Sequence, residues 1–109
     1  MIKSLSILLL VSNIFLAYSQ NSLAADLEAG EEIFTANCSA CHLNGANSIM
    51  PEKTLKGDAL EANGMNSISA ITNQVKNGKA PMPPFGERLS DEEIDNVANY
   101  VLTNSVQGW

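Results

Sequence analysis

The sequence predicts an all-α domain of about four short helices, and three observations carry that reading. Apolar residues recur at spacings of three and four rather than two. Capping residues stand in front of those runs and glycines behind them. No stretch of useful length alternates as a strand would, and no internal repeat or low-complexity tract interrupts the 109 residues.

The first stretch is not part of that domain. Met1-Ile2-Lys3 is a short basic start to a mostly apolar run from Leu5 to Ala17, and Ser22-Leu23-Ala24 places small residues where a signal peptidase cuts. We expect residues 1–24 to be a cleaved signal peptide and 25–109 the working domain. The alternative, an uncleaved membrane anchor, needs about 20 apolar residues. Here the run is shorter and is broken by Ser12 and Asn13.

The first helix follows, capped by Asp26, with Leu27, Gly30, Ile33, Phe34 and Asn37 on one side, and it ends at or near the pair of cysteines. Residues 43–57 carry Gly, Asn, Pro and Lys without periodicity and read as a long functional loop. Asp58 to Asn63 reads as a short helix stopped by Gly64. From Asn66 or Ser67 a further helix places Ile68, Ile71 and Val75 on one face, with Gly78 to end it. Prolines 81, 83 and 84 then exclude helix from the segment 78–90 and stiffen it. Ser90 and Glu93 form a capping box for the last helix, whose buried stripe is Ile94, Val97, Ala98 and Val101, bordered by Tyr100. The first and last helices must pack on each other.

Removing residues 1–24 leaves five Lys plus Arg against twelve Asp plus Glu, a formal charge of −7. That balance argues against nucleic acid and anionic lipid as partners, and favours steering toward basic protein surfaces. A domain this small buries little of its own surface and commonly depends on disulfides, a metal or a large cofactor.

Cys38-Ser39-Ala40-Cys41-His42 holds both cysteines and the only histidine. A dithiol oxidoreductase would place its attacking cysteine at a helix N-terminus, whereas this pair closes a predicted helix, where the dipole opposes ionisation. A structural zinc site needs four ligands, and only three are present in sequence. A disulfide across two residues constrains the unfolded chain little and gives His42 no role. Attachment of a c-type haem uses all three: Cys38 and Cys41 form thioethers with the porphyrin, and His42 ligates the iron from one face. One haem c per chain would also supply the missing core, so the haem-free chain should fold poorly.

The opposite face of the iron decides between electron transfer and catalysis, because a thioether closes the site and favours reduced iron. Met50 follows His42 by eight residues and would need a tight turn; Met65 lies between two helices. Met82 lies forty residues past His42 in the proline-stiffened segment, and is the expected sixth ligand.

The order of these features resembles class I cytochromes c. The stretches "ADLEAGEEIFTANCSACH", "KTL", "NSISAITNQVKNGK", "MPPFGERLSDEEI", "VANYV" and the terminal Gly108-Trp109 resemble, more narrowly, the photosynthetic cytochrome c6 family along essentially all of 25–109. The resemblance implies a class I fold, with helices around one haem and Met82 opposite His42, and no enzymatic turnover. It implies a soluble one-electron carrier of the thylakoid lumen, plastid or cyanobacterial, running from cytochrome f of the b6f complex to photosystem I. It also places Gly30 and Phe34 against Val97 and Tyr100, Gln74 near the haem, and Arg88 in partner docking. Neither stable membrane insertion nor nucleic-acid binding is expected, and the domain should act as a monomer. The competing readings are a periplasmic cytochrome serving a terminal oxidase and a haem peroxidase or sensor.

Overall fold

Gly30 and Phe34 lie four residues apart, one turn of a helix, so both point the same way. In the computed structural model, which describes residues 27–109, they are the buried positions of helix α1 (27–37), while Glu28, Glu31 and Glu32 face outward. The predicted signal peptide and the Asp26 cap lie outside the described residues. After α1 the chain breaks at Cys38, whose amide donates to Phe34 O at 2.8 Å. It then forms a four-residue helix α2 (Ser39–His42) and a single 3-10 turn at Leu43–Gly45.

Helices α3 (Gly57–Ala62), α4 (Ile68–Asn77) and α5 (Asp91–Gln107) follow. The expected start of α3 moves one residue earlier, and Gly64 reverses the chain behind it with φ 68°. Ser67 caps α4 by accepting from the Ala70 amide, and Gly78 ends it with φ 71°. The capping box at α5 is complete: Ser90 Oγ accepts from the Glu93 amide at 3.1 Å, and Glu93 Oε1 accepts from the Ser90 amide at 2.9 Å. That reciprocal pair satisfies two of the amides every helix start leaves open.

The α5 stripe expected from spacing, Ile94, Val97, Ala98 and Val101, is buried throughout. Its crossing with α1 depends on Gly30. A Cβ there would overlap Asn96 O and stand 2.8 Å from Tyr100 Cβ, so the two backbones approach as only glycine allows. Phe34 packs one turn further on, its ring centroid 5.3 Å from that of Tyr100 and 5.2 Å from that of Trp109. Gly30 therefore meets Asn96 and Tyr100, while Phe34 and Val97 share the core.

The core joins these residues to Leu60 of α3, Ile71 and Val75 of α4, and Phe85 and Leu89 of the segment before α5. No polar or charged residue is buried among the described residues. None of the described helices is long and apolar enough to cross a membrane.

Candidate functional site

Cys38 sits in the joint between α1 and α2, and Cys41 and His42 follow on the single turn of α2. Burial pushes the Cys38 thiol up from its ordinary value to about 11. As the spacing predicts, α1 ends at Asn37, immediately before Cys38, and burial adds a desolvation cost that keeps this thiol neutral. A thiol held neutral is the wrong starting point for dithiol exchange, which needs the thiolate. Nor do three or more His, Cys, Asp or Glu side chains converge anywhere among the described residues to make the zinc site.

His42 is oriented by one bond. Its Nδ1 lies 2.9 Å from Ala46 O. A carbonyl only accepts, so Nδ1 carries the hydrogen and Nε2 keeps the lone pair available to a metal. Such a carbonyl contact is how ligating histidines commonly have their tautomer fixed.

The loop beyond His42 folds on Asn47, a residue the sequence reading did not single out. Its Oδ1 accepts from the amides of Ile49 and Met50 at 3.1 and 2.8 Å, and its Nδ2 donates to Lys53 O at 2.9 Å. Asparagine does this habitually in turns, but such a signal is diluted by the other asparagines here. Asn44 adopts a left-handed conformation with φ 56°, which asparagine tolerates better than most residues.

Met82 approaches from the other wall. Lys79 and Met82 exchange backbone hydrogen bonds of 3.1 and 2.8 Å, making a closed turn around Pro81. Phe85, 4% exposed, anchors the segment, and its amide donates to Val75 O at 2.8 Å while that of Gly86 reaches Lys76 O at 3.0 Å. Gln74 Nε2 lies 3.5 Å from Met82 Sδ, so the glutamine singled out by resemblance touches the expected ligand. Arg88 stacks over the Phe85 ring at 4.4 Å.

Cys38, Cys41, His42 and Met82 all line one cavity of about 290 Å³. Its walls are mainly apolar, with Phe34, Leu60, Ile71, Val75, Val97 and Val101 contributing. Met50 and Met65 line it too. The donors present are two thiols, one imidazole nitrogen and thioethers, set in an apolar slot. That is the donor chemistry of a covalently held haem with one nitrogen and one sulfur ligand.

Comparison with known proteins agrees. The family described as "Cytochrome C oxidase, cbb3-type, subunit III" matches residues 25–101. The chain is 66% identical over 100 residues to cytochrome c6 of Gracilaria tenuistipitata var. liui, covering 92% of this chain and 93% of that protein. It is 72% identical over 85 residues to cytochrome c6 of Bumilleriopsis filiformis, covering 78% of this chain and 99% of the relative. Among solved structures, cytochrome c6 of the diatom Phaeodactylum tricornutum superposes with a TM-score of 0.74 at 55% identity, covering 76% of this chain and 98% of that one.

Proposed function

The chain belongs to the cytochrome c6 family, and we propose that this photosynthetic electron carrier takes single electrons from cytochrome f of the b6f complex and delivers them to photosystem I. Residues 1–24 are then the export signal, and 25–109 works in the thylakoid lumen. The observation that carries the reading is that two thiols and an imidazole at 38–42 and a thioether forty residues later line one mainly apolar cavity.

Haem c, when bound, supplies an iron that alternates between ferric and ferrous states. Cys38 and Cys41 would hold the macrocycle through thioethers, so that the carrier would not lose it between partners. His42 offers Nε2 because Ala46 O engages Nδ1. Met82 would offer a soft sulfur of the kind that favours reduced iron. The closed turn at 79–82 and the prolines around it leave that sulfur little room to move when the charge changes. Phe34, Leu60, Val75 and Val97 give the cavity its apolar lining. The acidic surface, with a formal charge of −6 for the full sequence, accelerates encounter with basic patches and makes the rate fall with salt.

Flash-induced reduction of photosystem I by the purified holoprotein, followed across a salt series, tests the assignment. Acceleration that weakens with ionic strength is the expected result. Absence of any acceleration by a red, haem-bearing protein removes these partners.

A further inference from the structure

The loop that presents His42 has local hydrogen bonds, those of Asn47 and that of the Ser48 amide to Cys41 O at 2.9 Å, but little burial of its own. Of residues 43–56 only Gly45 is buried, and Leu43 and Ile49 are 64% and 58% exposed. What ties this loop to the rest of the fold comes from residue 109. The indole of Trp109 lies so close over Gly45 that a Cβ there would overlap the ring. Its Nε1–H donates to Leu55 O at 2.9 Å, and the Leu55 amide in turn donates to Gly45 O at 2.8 Å. The other sides of the indole meet Phe34, at 5.2 Å between centroids, and Tyr100, edge-on at 5.9 Å. One residue beyond Gly45 is Ala46, whose carbonyl sets the His42 tautomer at 2.9 Å.

We propose that Trp109 is a positioning residue for His42: it clamps Gly45 and Leu55 to the α1/α5 crossing and so holds the Ala46 carbonyl against Nδ1. The left-handed φ of 77° at Gly45 and the missing side chain serve the same end, since any larger residue would lift the indole away. A ligating imidazole gains basicity and a fixed ring plane from such a bond. Trp109 thus governs the ligand through the loop without touching it. The proposal rests on His42 being the nitrogen ligand.

Because His42 is the only histidine, its ring proton gives one unambiguous signal in reduced, histidine-labelled holoprotein. The Trp109→Phe variant keeps an aromatic ring and removes the indole N–H. We expect solvent exchange of the His42 Nδ1 proton to rise about tenfold, the weight of one net hydrogen bond, while the amides of Val97 and Val101 keep their rates. Leu89→Ala, a buried change outside the cavity, should instead speed all of these protons together. If the Nδ1 rate in Trp109→Phe stays put, or rises only in step with the α5 amides, the clamp is overturned. Should that variant fail to mature, Trp109→Leu, which also lacks the indole N–H, is read by the same criterion. Haem content of the unmutated chain is measured first: no covalent haem overturns the ligand reading itself, whereas attached haem with an unmoved Nδ1 overturns only the role of Trp109.

Discussion

On the Met82 wall the backbone is held from within. Lys79 and Met82 close a turn on each other, the amides of Phe85 and Gly86 bond to the last carbonyls of α4, and the Phe85 ring is buried in the core. Every tie spans about ten residues or fewer. On the His42 wall, local ties are made by an exposed asparagine turn, and the long tie comes from Trp109, 54 residues beyond Leu55. The two walls thus fix two donors by different means, one by stiff local covalent geometry and burial, the other by a distant clamp. Short-range closure costs little chain entropy and forms early, whereas the distant tie forms only once α1 and α5 have crossed. The Met82 wall should therefore fail through loss of burial, and the His42 wall through loss of tertiary contact.

The largest effect is expected where the Met82 wall enters the core. Phe85→Ala removes a ring that is 4% exposed and should cost about 3–5 kcal/mol of holoprotein stability, read from the denaturant midpoint. A much smaller loss would mean that local hydrogen bonds, rather than burial, hold this wall. Next comes the donor itself. Met82→Leu is close in volume and lacks sulfur, so the fold should survive while the reduction potential drops by about 0.1 V or more, a fraction of the roughly 0.8 V that axial ligation spans. The weak near-red band of ferric histidine–methionine ligation should vanish with it. If both persist, Met50 or Met65, which line the same cavity, carries the sulfur.

Asn47→Ala probes the other wall. It removes three hydrogen bonds, all of them to backbone groups of an exposed or half-buried turn that water can reach. The expected cost is therefore about 1 kcal/mol rather than three times that, with Met82 ligation unchanged. A loss approaching that of Phe85→Ala would show that the His42 loop is stabilised locally after all, and would remove the contrast between the walls.

The contrast also explains what the sequence could reveal. The Met82 wall was legible because its devices are local: prolines at 81, 83 and 84, a glycine stop at 78 and a capping box at 90 each act within a few residues. The motif at 38–42 was legible because its chemistry needs that spacing. The placement of Cys38 at the end of a helix was legible from spacing, whereas its burial depends on residues distant in sequence and leaves no local signal. Trp109 was visible only as a terminal residue shared with a family. Nothing near it signals Gly45 or Leu55, since a contact over more than 50 residues leaves no periodicity. Asn47 was missed for a different reason: one turn-forming asparagine among many carries no distinguishing pattern.

The smallest effect sharpens the comparison at its edge. Lys76 Nζ and Asp91 Oδ1, 3.4 Å apart, join the end of α4 to the start of α5 and so bridge the two ends of the Met82 segment. If electrostatic bridging held that segment, truncating the lysine would loosen it. Yet the side chains are 54% and 87% exposed, and water and salt screen such a pair. Lys76→Ala should cost no more than about 0.5 kcal/mol, and the difference from the unmutated chain should disappear in high salt. The aliphatic part of Lys76 also lies against Gly86, 3.1 Å from where a Cβ would stand. A salt-independent remainder in the measured cost would therefore report packing of that stem, and would count as burial holding the Met82 wall rather than charge.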